Sequence, residues 1–353
     1  MTPIGILSVG TALPAHRLTQ DAARDWARTH FSGRFSAFER MEPVFTNSGI
    51  DTRHTAMPIE WYGQDQDWAS RTAAYRTAGS ALFLAAARQA LDKASLLASQ
   101  IDIVVTISST GIATPSLEAL VHDELGLRAD VVRVPVFGLG CAGGVSGLAL
   151  AARLAASQPG AKVLMVAVEL CTLAFRNDVL SKANIVATAL FGDGAAAVVL
   201  SSEHEGAPTI TAAGEHLWPA SLDVMGWDVA PQGLGVVFAR SIPDLITAQL
   251  REALTAMLGR LGTRPEDMAR FICHPGGAKV IDALEGSLGM AAGRLDVERA
   301  VLRACGNMSA PTVLFVLETL LSSGRLARGG AKALIALGPG FTASCAVLAG
   351  EDA

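Results

Sequence analysis

The chain has 353 residues, 50% of them hydrophobic and 17% charged, with a mean hydropathy of +0.37. With 28 basic against 33 acidic side chains, a net charge of -5 and no basic run, it lacks the electrostatic footprint of a nucleic-acid binder. Its longest uncharged stretches run from Val134 to Ala152, with Pro135 and several glycines, and from Ala333 to Gly350, with Gly338-Pro339-Gly340; neither fits a bilayer span of about 20 intact apolar residues.

In chain order, Met1 to Gly10 is apolar but has no preceding Lys or Arg and no small-residue cleavage site, so cytoplasmic residence is expected. Ile101 to Ile107 is a short β-branched run ending at Ser108, read as a buried strand. A glycine turn follows, Phe137-Gly-Leu-Gly-Cys-Ala-Gly-Gly144, and then a helix candidate from Val145 to Ser157. Lys162 to Val168 is the next strand. Cys171 to Leu190 is an excursion, and Phe191-Gly-Asp-Gly-Ala opens another apolar run. In the second part, the strand Met268 to Cys273 runs into His274-Pro-Gly-Gly277. The turn Gly306-Asn307-Met308-Ser309 leads to a helix candidate from Thr312 to Ser322, and a strand near Gly330 to Leu337 precedes Gly338-Pro-Gly.

These elements repeat. Gly160-Ala-Lys-Val-Leu-Met-Val-Ala167 resembles Gly330-Ala-Lys-Ala-Leu-Ile-Ala-Leu337, Cys141 follows Ser108 by 33 residues, and Asn307 follows His274 by 33. Downstream the spacing differs: Phe191 lies 50 residues after Cys141, whereas Leu337 lies 30 after Asn307, so the first part carries the Cys171 to Leu190 insertion. The pattern predicts an α/β protein of two similar halves, 1–210 and 211–353, with Cys141, His274 and Asn307 at equivalent strand ends, where ligands of such sheets bind.

The five cysteines are scattered without a C-x-x-C pair, which argues against a disulfide framework or a metal site. Taken singly, each reads as a small core residue. Cys141 differs in its setting, because backbone dipoles at a helix start stabilise a thiolate and an imidazolium at His274 would add to this. Asn307 offers a neutral donor amide. A thiolate, an imidazolium and an amide suit acyl capture followed by stabilisation of a negative oxygen. Asp193, between two glycines, reads as a turn-stabilising residue rather than an acid catalyst. Glu169, ending a strand, reads equally as a structural carboxylate or as a group tuning water near Cys141.

Taken together, Gly140-Cys141-Ala-Gly-Gly, Phe191-Gly-Asp-Gly-Ala, His274-Pro-Gly-Gly, Gly306-Asn307-Met-Ser and Gly338-Pro-Gly resemble the type III polyketide synthases over nearly the whole chain. Asn307 stands where thiolases would have Cys and elongating synthases His. Thr110-Gly-Ile-Ala-Thr-Pro-Ser-Leu117, Glu60-Trp-Tyr62 and Met225 to Phe238 resemble the bacterial alkylresorcinol and alkylpyrone synthases.

The resemblance implies a thiolase-like fold of layered αβαβα architecture, catalysis by Cys141, His274 and Asn307, and no cofactor beyond CoA thioester substrates. It implies an acyl-CoA starter, malonyl-CoA as extender, and substrate-binding positions at Phe191, Ala174, Thr114, Val236, Ser309 and Trp227. Arg53 and Lys279 resemble CoA-contacting positions at the tunnel mouth, with solvated surface charge as the plain alternative. A homodimer is implied, with the segment at Thr114-Pro115 reaching the partner's cavity. Where the plant enzymes have a second gatekeeping Phe and a cavity Thr, this chain has Val236 and Ala174, which opens apolar room for an aliphatic starter. Two other readings are a single-round ketoacyl synthase and a non-catalytic acyl-CoA-binding protein.

Overall fold

The computed structural model describes residues 2–326 and 329–349. Its centre is a nine-stranded sheet in the order β11-β12-β13-β8-β1-β7-β6-β4-β5. The strands of its first half are β1 (Ile4–Ala12), β4 (Ile103–Ile107), β5 (Val132–Val136), β6 (Lys162–Leu170) and β7 (Asp193–Ser201). Those of the second half are β8 (Thr209–Leu217), β11 (Met268–Cys273), β12 (Ala331–Gly338) and β13 (Thr342–Ala349). Two ribbons lie apart from this sheet: β2 (His16–Thr19) with β3 (Thr52–Thr55), and β9 (Met225–Ala230) with β10 (Gly233–Phe238).

The halves share one topology. β4 and β6 are parallel, β6 and β7 antiparallel, and β7 and β1 antiparallel. β11 and β12, β12 and β13, and β13 and β8 repeat that sequence of directions. Among the described residues the two sets of strands pair only where β1 touches β8, at Ile4 with Ile210 and Gly5 with Thr209. The division expected after residue 210 falls two residues into β8.

Eight principal helices build the layers: α1 (Gln20–Phe31), α2 (Trp68–Lys93), α3 (Gly143–Ser157), α4 (Lys182–Leu190), α5 (Ile242–Arg260), α6 (Ala278–Ser287), α7 (Asp296–Cys305) and α8 (Ala310–Ser322). α3 and α8 are apolar on nearly every side, the signature of a fully buried helix. They form the middle layer: Val145, Leu148, Val313 and Leu317 pack in one core with Val105, Met165 and Val198 of the first half and Leu334 and Ala346 of the second. On the outer face of the first half, Leu82, Phe83 and Ala87 of α2 cover Val104, Leu164 and Val199. On the outer face of the second, Leu250, Leu254 and Ile281 of α5 and α6 cover Ala333, Ile335 and Cys345. Helix, sheet, helix, sheet, helix is the expected αβαβα order. β6 and β7 read as continuous apolar runs because both of their faces are covered. No helix among the described residues is long and apolar enough to cross a membrane.

Candidate active site

The two middle helices begin side by side. The ideal Cβ of a side chain at Gly144 would lie 2.3 Å from the backbone oxygen of Ala310, so glycine lets the first turns of α3 and α8 touch. Their N-terminal ends, each with unsatisfied N–H groups and partial positive charge, therefore point into one place. Cys141 sits in the single 3-10 turn Gly140–Ala142 that leads into α3. Asn307 and Ser309 lie just before α8, and Ser309 holds a positive φ of 57°.

The second half fixes the other groups. The backbone N–H of His274 donates to Ile335 O at 2.8 Å, extending the pairing of β11 with β12 by one residue and carrying the imidazole to the strand end. Asn307 Oδ1 accepts from the Ser309 N–H at 2.8 Å, while its Nδ2 donates to Gly276 O at 3.1 Å, which sets the amide's orientation. Asn307 is also tied to the first half, since its N–H donates to Leu190 O at 2.8 Å and its carbonyl accepts from Gly192 N at 3.0 Å.

Burial sets the resting charges. It pushes the Cys141 thiol up to about 11, against hydrogen bonds from Ser309 and Asn307 that pull the other way. It drives the His274 imidazole down to about 4, and neither ring nitrogen has a hydrogen-bond partner. Desolvation alone thus favours the neutral thiol and the neutral imidazole. Of the seven histidines only His274 is buried. Glu169 is fully buried and raised to about 8 by desolvation, although it accepts hydrogen bonds from Ser109 N and from Thr110 Oγ1 at 2.7 Å. Asp193, raised to about 7 by burial, accepts from Ala56 N at 2.6 Å and from both the N–H and hydroxyl of Thr172. It joins β7 to the end of β3 and to the turn after β6, a structural task.

Three spaces surround this centre. A small catalytic chamber is lined by Cys141, Ser309 and Pro339, and by Cys171, Phe191, Trp227 and Val236. The last four also line a second, apolar cavity that runs under α1 and α4 and includes Ala174, Phe175 and Trp26. A groove of about 700 Å³ runs past Gly276 and Gly277, and the exposed cations Arg40, Lys182, Arg240 and Lys279 stand along it. None of those four cations forms an ion pair among the described residues.

The structure thus brings Phe191, Trp227, Val236, Ala174 and Ser309 to the chambers and Lys279 to the groove. It separates Arg53 from the groove, a correction to the sequence reading. Arg53 is 2% exposed; its guanidinium donates to Thr188 O at 2.6 Å, to Phe191 O at 3.1 Å and to Gln20 Oε1, clamping the end of α4. With both terminal nitrogens turned to protein oxygens and burial lowering it to about 10, it is a structural cation. Thr114 lies outside both chambers, exposed in a cis Thr114–Pro115 loop. Sequence reasoning missed Arg40, Lys182 and Arg240, which are isolated charges without a motif. Lys182 alone had a signal, since it lies in the inserted segment.

Models of known families match the chain in two parts, that of the N-terminal domain of chalcone and stilbene synthases over residues 2–204 and that of the C-terminal domain over residues 209–350. The 1,3,6,8-tetrahydroxynaphthalene synthase of Streptomyces peucetius subsp. caesius is 39% identical over 348 residues, covering 97% of this chain and 92% of that protein. Phloroglucinol synthase of Pseudomonas fluorescens is 30% identical over 340 residues and 95% of each chain. The crystal structure of 1,3,6,8-tetrahydroxynaphthalene synthase from Streptomyces coelicolor A3(2), a bacterial type III polyketide synthase, superposes with a TM-score of 0.93 at 28% identity, over 99% of this chain and 100% of that one. On the shared topology of its halves and these matches from end to end, the chain belongs to the chalcone and stilbene synthase family and is a type III polyketide synthase.

Proposed function

We propose that this synthase loads a medium- or long-chain fatty acyl group from CoA, extends it by repeated decarboxylative condensation with malonyl-CoA, and closes it to an alkylpyrone or alkylresorcinol. The observation that carries the proposal is the apolar cavity next to the catalytic chamber, with Cys171, Phe191, Trp227 and Val236 lining both. With Val236 and Ala174 in place of larger groups, an aliphatic chain has somewhere dry to go while its carbonyl stays at Cys141.

In the loading step His274 takes the Cys141 proton as the sulfur attacks the starter thioester, and CoA leaves as the thiol with that proton. Removal of the proton creates the thiolate and imidazolium together, so each charge stabilises the other inside a site that disfavours either alone. Malonyl-CoA then binds with its thioester oxygen toward His274 and the Asn307 Nδ2 hydrogen that faces Cys141. Its carboxylate leaves as carbon dioxide, and the electron pair stays on the α-carbon as an enolate whose oxygen those donors hold. The enolate carbon attacks the Cys141 thioester, and sulfur departs from the chain until the next round. The helix ends at Cys141 and Asn307 favour the negative charge in both steps. Arg40, Lys182, Arg240 and Lys279 suit the phosphates of CoA, with the groove past Gly276 and Gly277 as the arm's route inward.

We further propose a homodimer. β5 is an edge strand with no neighbour on its outer side among the described residues, and Val132, Phe137 and nearby Ile112 are 53%, 60% and 53% exposed. A second copy of β5 across a two-fold axis would cover these groups and set the Thr114 loop against the partner. Five free, buried cysteines suit the reducing cytoplasm, where we place the enzyme.

The test is product analysis by mass spectrometry with malonyl-CoA and a series of saturated acyl-CoA starters. Alkyl-bearing pyrones or resorcinols are expected. A hydroxylated aromatic without an alkyl chain, of the kind the names of the relatives denote, from malonyl-CoA alone and in preference to every starter, would overturn the starter assignment. A β-ketoacyl product released after one round would instead identify a single-round synthase.

A further inference from the structure

The walls of the apolar cavity decide between two occupants, the alkyl end of the starter and the growing polyketide. A polyketide carries a carbonyl on every second carbon and needs donors wherever it is buried. The hydroxyl, amide and guanidinium groups on this wall are already engaged. Thr55 Oγ1 donates to Met57 O at 2.8 Å, the Tyr62 hydroxyl pairs with Thr172 Oγ1 at 2.6 Å, and Thr172 Oγ1 is shared with Asp193. Asn184 Nδ2 donates to Arg176 O and Val179 O, and Thr188 Oγ1 to Asn184 O. Arg53 Nε lacks a partner but is itself buried from contact. Apart from the indole N–H groups of Trp26 and Trp227 and the Cys171 thiol, the wall offers no free donor, so hydrocarbon loses least on entering.

The cavity also has a wall away from the catalytic chamber. Leu18, Ala23 and Trp26 come from β2 and α1, and none of them borders the catalytic chamber. Trp26 is held rigidly: its ring stacks on His30 with centroids 3.7 Å apart and meets Phe175 edge-on at 4.9 Å, while His30 Nδ1 hydrogen-bonds Trp26 O at 2.8 Å. Half-buried on α1, it stands between the cavity and the surface of that helix. Ala187 of α4 lines the same space with a side chain that leaves it open.

We propose that Trp26 is a specificity-determining residue that limits the length of the starter's alkyl chain, with α1 as the end wall and Ala187 as a point where the bore is kept wide. The proposal rests on the acyl-starter reading above.

The experiment measures kcat/KM for malonyl-CoA extension of straight-chain saturated acyl-CoA starters, from butanoyl to octadecanoyl, with the full-length wild type, Trp26→Ala and Ala187→Leu. In the wild type kcat/KM rises roughly fourfold per added methylene, the value of burying one, until the chain reaches Trp26, and then it falls. Trp26→Ala moves that break to longer chains, and Ala187→Leu moves it to shorter ones. If Trp26→Ala does not fold, Trp26→Leu replaces it and must move the break the same way. Folded variants of both residues that keep the wild-type break overturn the proposal. A wild type that condenses acyl starters with no dependence on alkyl length also overturns it and leaves the synthase reading standing. A wild type that condenses no acyl starter overturns the starter reading itself.

Discussion

The two halves of the molecule share one strand order and place one glycine turn each at the same point, yet the turns do different work. The first presents a sulfur at Gly140–Ala142, and the second presents an amide before α8. The second half also sends His274 from the end of β11, while the strand end equivalent to it in the first half carries Ser108 and Ser109, which act as supports: Ser109 Oγ accepts from the N–H groups of Gly138 and Gly140 at 3.1 Å. On the proposed mechanism one scaffold is divided into a half that carries the acyl group and a half that handles negative oxygen. The inserted segment belongs to the acyl-carrying half, and it supplies Cys171, Thr172, Ala174, Phe175, Asn184, Ala187 and Thr188 to the apolar cavity.

The sharpest way to break this division is to remove the nucleophile. Cys141→Ala is expected to show no starter adduct by intact mass and no condensation; a retained adduct would place the acyl group on another residue. Next in size is Asn307→Ala, which removes a donor worth roughly 2.7 to 4 kcal/mol. Malonyl-CoA decarboxylation should fall about a hundredfold to a thousandfold, while single-turnover acyl loading changes much less. Equal losses in both steps would mean that the halves do not divide the work.

The contact between the halves gives a smaller effect. Gly144→Ala sets a methyl 2.3 Å from Ala310 O, so α3 and α8 must separate. Denaturant titration should show a loss of about 1 to 3 kcal/mol, with activity at saturating substrate reduced because the two helix ends no longer converge.

The mildest prediction contrasts the halves by pH. His274 is lowered from 6.5 to about 4, so the unfolded chain takes up its proton first; the stability from keeping it neutral is present above 6.5 and lost as pH falls toward 4. Glu169 is raised from 4.5 to about 8 and Asp193 from 3.8 to about 7, so their contribution is full at low pH and is lost as pH rises through those values. Melting temperature against pH should therefore change slope between about 4 and 6.5 in His274→Gln and, with the opposite sign, between 4.5 and about 8 in Glu169→Gln. No change in either limb would mean that other groups dominate.

Much of this was legible in the sequence because it was written in local terms. Equal spacing from Ser108 to Cys141 and from His274 to Asn307 predicted equivalent strand ends, and the excess between Cys141 and Phe191 predicted the insertion that walls the cavity. Arg53 was misplaced because charge alone does not say which way a side chain turns; the oxygens that hold it come from residues over 130 positions away and from Gln20. Trp26 carried no signal, since an indole on an amphipathic helix looks like any core contact until the space beside it is seen.

The close seating of α3 on α8 also has a meaning for how the chain is made. α3 is apolar on almost every side, and the helix that covers it is more than 150 residues away in sequence. A ribosome finishing the first half has produced Cys141, the first-half strands and a middle helix covered on one side only, while the groups that cover its other side, on β8, α8, β12 and β13, have still to emerge. The first half on its own should therefore be an aggregation-prone fragment rather than an independent domain. Despite the repeat in its architecture, the middle layer is closed only by the last strands, β12 and β13.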